Sequence, residues 1–105
     1  MKKKITINHK EYEMQKMSIA EYMEYLNIAE EIETHTRYTG KDIENMCEIV
    51  CKVYGNQFTK EDLMNPETGL DPADLILEFQ MIDMGVAQRL TEKMEAIQKN
   101  MQTAS

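Results

Sequence analysis

Two cysteines four residues apart, Cys47 and Cys51, and two histidines, His9 and His35, are the side chains best suited to bind a metal or attack a substrate. A zinc site asks for a closer thiol pair, such as C-x2-C, and for a second pair of ligands elsewhere. Here both histidines stand near turns, and the i, i+4 spacing sets both thiols on one face of a helix. A reduced cysteine on an apolar helix face behaves as a small buried hydrophobe, a usage that suits a reducing compartment. The densest group of chemically able side chains is GNQFTKEDL, residues 55–63. A phosphate-cradling loop needs more glycines and a Lys-Ser or Lys-Thr ending, whereas Thr59-Lys60 has the reverse order. A nucleophile needs a histidine within reach. The fragment reads instead as a joint: Gly55-Asn56 closes one helix, Phe58 packs beneath the turn, and Thr59 opens a short helix through Leu63-Met64. Carboxylates are plentiful but fall on polar helix faces, where nothing sets up an acid–base pair. The expectation is a protein without catalytic, cofactor-binding or metal-binding residues.

The totals narrow the partners. The chain has 105 residues, with 19 acidic against 12 basic side chains and a net charge of −7. Such a surface repels nucleic acid and anionic bilayers, so neither is expected as a partner. No run of 18 apolar residues supplies a spanning helix. The one basic cluster, Lys2, Lys3 and Lys4, leads into Ile5-Thr6-Ile7 rather than into the long apolar run of a secretion signal.

The elements that would position these side chains are mostly helical, and the fold class expected is α+β: an N-terminal β-hairpin, then three to four helices in one domain. Residues 1–15 form the hairpin, with Ile5 and Ile7 before a polar turn at Asn8-His9-Lys10 and Tyr12 and Met14 after it. A helical body occupies residues 18–80. Ser18 and Glu21 make an S-x-x-E capping box at its start. The stripe predicted to face the core from this first helix is Ile19, Tyr22, Leu26 and Ala29, with Met23 alongside and Ile32 closing it. A second helix from about Lys41 to Tyr54 buries Ile43, Met46, Cys47, Val50, Cys51 and Tyr54. The cluster Asn65-Pro66-Glu67-Thr68-Gly69 is a turn. Asp71 then caps the last helix, with Pro72 at its first position and Asp74 near the positive end of the dipole.

That last helix is expected over about 72–100, and its character changes midway. Leu75, Ile76, Leu77, Phe79, Met81, Ile82 and Met84 make a wide apolar arc suited to a core. Beyond Gly85 the pattern narrows to Ala87, Leu90, Met94, Ile97 and Met101, at the three- and four-residue intervals of a coiled-coil seam. The other helices are too short to cover the whole length, so residues 81–105 are expected to project as a helix with a frayed tail. The five seam residues are the candidate partner-binding site, open to another protein or to a second copy in a homo-oligomer. The ten methionines fit such a role, because a flexible thioether adapts to varied apolar partners.

The order of these segments resembles the tail assembly chaperones of long-tailed bacteriophages. The likeness covers most of the chain: the N-terminal strand pair, the capped helix beginning SIAEYMEYL, the helix ending in VYGNQFTKEDL, and GLDPADLI opening the long helix. The resemblance implies a chaperone without enzymatic activity that binds the tape measure protein, keeps it soluble and helps tail tube protein assemble around it. It further implies action in the host bacterial cytoplasm, absence from the mature virion, and a longer form of the same protein made by ribosomal frameshifting. Gln98-Lys99-Asn100 is compatible with a slippery codon run. The rival expectation is a structural tail completion or connector protein that forms rings through its hairpin edges, which an unpaired strand edge would permit.

Overall fold

A computed structural model describes residues 3–104, with side chains described for residues 3–101. Lys2 of the basic cluster and Ser105 at the end of the expected tail lie outside the described residues. Strands β1 (Lys4–Ile7) and β2 (Lys10–Glu13) pair antiparallel, with Ile5 opposite Tyr12 and Ile7 opposite Lys10. The two residues between them, Asn8 and His9, both have positive φ, 53° and 66°. That is the geometry of a tight turn whose twist matches the strands, and Asn and His enter the left-handed region more readily than most residues. Ile5 and Ile7 are buried, while Tyr12 sets its ring edge-on to Phe58 at 5.1 Å. The backbone N–H of Asn8 donates to the Thr68 carbonyl at 2.8 Å and that of Gln15 to Val53 at 2.9 Å. The hairpin is thus tied at its tip to a turn and at its end to a helix.

Four helices come next. α1 (Ile19–Glu33) starts at the Ser18–Glu21 capping box. α2 (Gly40–Val53) has the same device at Thr39 and Asp42, one residue earlier than the sequence suggested. It ends in a left-handed Gly55, φ 75°, whose N–H bonds to Lys52 while Asn56 reaches back to Cys51. α3 (Lys60–Met64) is capped by Thr59 and Asp62. The turn after it brings Gly69 so close to α3 that an added Cβ would run into the carbonyl oxygens of Asp62 and Leu63. α4 (Pro72–Ala104) begins where Asp71 accepts from the Asp74 N–H at 2.8 Å, and continues four residues past the expected end. At 33 residues it is about 50 Å long, and it sets the 57 Å long dimension of the molecule.

α2 is the centre of the body. It packs against α1, α3 and α4, and its Met46, Ile49, Val50, Val53 and the adjoining Tyr54 are closed to solvent. Leu75, Phe79 and Ile82 of α4 and Phe58 and Leu63 of the α3 region complete the core. Two sequence expectations need correction. On α1 the buried residue is Tyr25, with Tyr22, Ile28, Ala29 and Ile32 packed at its sides, whereas Ile19, Met23 and Leu26 are exposed. α1 has apolar side chains on two opposite faces, so periodicity alone could not choose between them. On α4 the wide arc is only partly used: Leu77 and Met84 face solvent at 54% and 65% exposure.

Candidate partner-binding surface

The contacts of α4 with the body stop abruptly. Tyr25 of α1 lies against Phe79, ring centroids 4.8 Å apart. One turn earlier on α1, the Tyr22 hydroxyl donates to Asp83 Oδ1 at 2.8 Å. Contacts therefore descend α1 as they climb α4. Since Ser18 caps α1 one turn before Tyr22, α1 runs out about one turn beyond Asp83, level with Val86 or Ala87. No described element remains to cover the rest of α4, and every described residue from 87 to 101 is exposed. Leu90, Met94, Ile97 and Met101 retain 57%, 53%, 59% and 68% of their surface in solvent, and Ala87 is exposed as well. All five candidate residues lie along one side of α4. That side continues the core-facing one, because Leu90 and Ile97 stand about three and five whole turns beyond Phe79.

The base of this arm is fixed firmly. Glu78, on the first half of α4, receives the Lys3 ammonium at 2.7 Å and the Tyr54 hydroxyl at 3.2 Å, which ties hairpin, α2 and α4 together. Burial and the neighbouring Glu78 carboxylate push the Tyr54 phenol well above its ordinary value. Burial likewise raises Tyr25 to about 12, and the hydrogen bond to Asp83 raises Tyr22. These phenols stay protonated and act as donors and packing surfaces.

The chemically able residues take structural positions. Cys47 and Cys51 are free, buried thiols. Burial pushes Cys51 up to about 12 and raises Cys47 too, so neither supplies a thiolate near neutral pH. His35 Nδ1 lies 2.8 Å from Asp42 Oδ2, with Glu31 at 3.5 Å from the other ring nitrogen. Asp42 is buried and also accepts from the Thr39 N–H at 2.9 Å. Burial works to raise its pKa, but the hydrogen bonds from Thr39 and His35 prevail and hold it below the usual aspartate value. Sequence reasoning missed this junction; its available signal was Thr39 three residues ahead of Asp42, a capping pattern. GNQFTKEDL is a joint, with Phe58 buried and Thr59 and Asp62 capping α3. Among the described residues no group of three or more His, Cys, Asp or Glu side chains is placed to hold a metal ion. No helix among them is long and apolar enough to cross a membrane.

The geometry is that of an anchored helix carrying an uncovered apolar ridge. The family model described as phage tail chaperone protein matches residues 1–103. The chain belongs to that family. No curated protein and no solved structure matches it.

Proposed function

We propose that this tail chaperone acts without catalysis by holding the tape measure protein through the seam Ala87, Leu90, Met94, Ile97 and Met101. The observation that carries the reading is the exposure of that ridge on a helix whose base is locked into the core. A long helical client would present its own apolar stripe, and a helix laid along another at three- and four-residue intervals buries both. Methionine at two of the five positions lets the ridge accommodate client segments that differ in shape. Shielding the client in this way keeps it soluble until tail tube subunits assemble around it. Action belongs in the host bacterial cytoplasm, and the chaperone leaves before the virion is complete. A longer frameshifted form would share the same seam.

Mixing the purified chain with a tape measure fragment tests the reading. A several-fold excess should keep the fragment in the supernatant after centrifugation, whereas an unchanged pellet would refute it. Mass spectrometry of mature particles checks the departure step. Stoichiometric amounts of this chain there would point to a tail completion or connector role.

A further inference from the structure

Of the four glycines in the chain, Gly55 and Gly69 are demanded by the backbone around them, and Gly40 is the first residue of α2. Gly85 answers to no such demand. It lies in the interior of α4, and a Cβ built on it would meet no atom within 4 Å. Alanine would fit there and would favour the local helix by roughly fivefold.

The place of Gly85 is as telling as its type. Before it, α4 is gripped by the body: Glu78 by Lys3 and Tyr54, Phe79 by Tyr25, and Asp83 by Tyr22, with Ile82 buried. After it only Val86 is half-buried, and every described residue from 87 to 101 is exposed. A helix of about fifteen residues with no tertiary cover is marginal in water, so the arm depends on continuity with the anchored half. That continuity runs through the backbone bonds spanning Gly85, from its N–H to the Met81 carbonyl and from the Arg89 N–H to its own carbonyl. Glycine gains the most conformational freedom when such bonds open. Water can reach the freed groups, since Met84, Ala87 and Gln88 are all exposed.

We propose that Gly85 is a hinge at which the arm bends relative to the body, the continuous helix being one end of its range. The bend leaves the core intact, because the contacts that grip α4 all come before it. It changes the angle at which Leu90, Met94 and Ile97 are presented. One seam can then meet client helices that approach in different directions. That use rests on the function proposed above; the hinge itself does not.

Double electron–electron resonance on the full chain is the test, with spin labels at Lys41→Cys in α2 and Gln98→Cys in the arm. Both positions are exposed, whereas the native Cys47 and Cys51 are buried from the label. Dilution with unlabelled chain restricts the reading to distances within one molecule. The wild type should give a broad distribution. In Gly85→Ala the bent share should fall by roughly fivefold, narrowing the distribution with no loss of helical circular dichroism. Gly85→Ser serves if the alanine variant fails to fold. Gly85→Ala/Gln88→Gly, which moves the glycine by one turn, should restore the breadth. A narrow wild-type distribution, equal widths in wild type and Gly85→Ala, or a double variant that stays narrow would each overturn the hinge. These distances are read without a client. With a tape measure fragment added, Gly85→Ala should keep less of it in solution than the wild type does. Equal holding would overturn the use of the hinge, whereas a wild type that holds none would overturn the client-holding reading instead.

Discussion

Leu75, Phe79 and Ile82 in the first half of α4 are almost closed to solvent, whereas Leu90, Met94 and Ile97 in the second half expose more than half of their surface. The side chains are of the same kinds, at the same intervals, on one continuous helix. What separates them is cover: α2 and the start of α1 pack on the first half, and no described element reaches the second. Apolar content therefore does not tell whether a helix face belongs to the core. The reach of the neighbouring helices decides it. The body uses its apolar residues to fold, and the arm leaves its own exposed.

Substitutions in the body and in the arm should therefore differ in kind. Phe79→Ala should have the largest effect, because it empties a site packed by Tyr25. A loss of about 3–5 kcal/mol in urea denaturation is expected. Gly69→Ala should come next, at about 1–3 kcal/mol, since the new methyl meets backbone carbonyls of α3 that cannot move aside as a side chain would. Thr39→Ala removes the acceptor for the Asp42 N–H and should cost about 1 kcal/mol. At the other extreme, Leu90→Ala or Met94→Ala should change stability by less than about 0.5 kcal/mol, as surface substitutions do. If Leu90→Ala cost as much as Phe79→Ala, the contrast between body and arm would be lost.

Acid sharpens the contrast within the body. The folded carboxyl of Asp42 is held below its ordinary value, so the folded state binds this proton less readily than the unfolded one. Its contribution to stability is complete above the unfolded aspartate pKa of about 3.9 and is lost as pH falls through the lowered folded value. Asp42→Asn should flatten that part of the stability–pH curve, measured by denaturant midpoint at a series of acidic pH values. Wild-type slope in the variant would assign the acid sensitivity to other carboxylates.

Much of this architecture could be read from local chemistry. Ser18–Glu21, Thr59–Asp62 and Asp71–Asp74 are caps in which a side chain bonds a backbone amide three residues on, so they act whatever the rest of the chain does. The change of pattern at Gly85 was visible for a similar reason, because a narrow seam and a broad arc differ along a single helix. The face of α1 was not. Ile19, Met23 and Leu26 compete with Tyr22, Tyr25 and Ile28, both sets at helical spacing, and only the packing of α1 on α2, with Phe79 against Tyr25, decides between them. The burial of Asp42 was hidden as well, since its partner His35 sits across the α1–α2 turn. Of the candidate site, the sequence could supply the ridge and the shortness of the other helices, but not where along α4 the cover ends, which depends on how α1 and α2 pack against it.

The most direct test of the contrast between body and arm is a paired measurement on Leu90→Glu/Ile97→Glu: its denaturation midpoint, and the solubility of a tape measure fragment mixed with it. The expected outcome is a midpoint within error of the wild type and a fragment that pellets as if no chaperone were present. A variant that still keeps the fragment in solution, or one that unfolds as readily as a core variant, would contradict the division between body and arm.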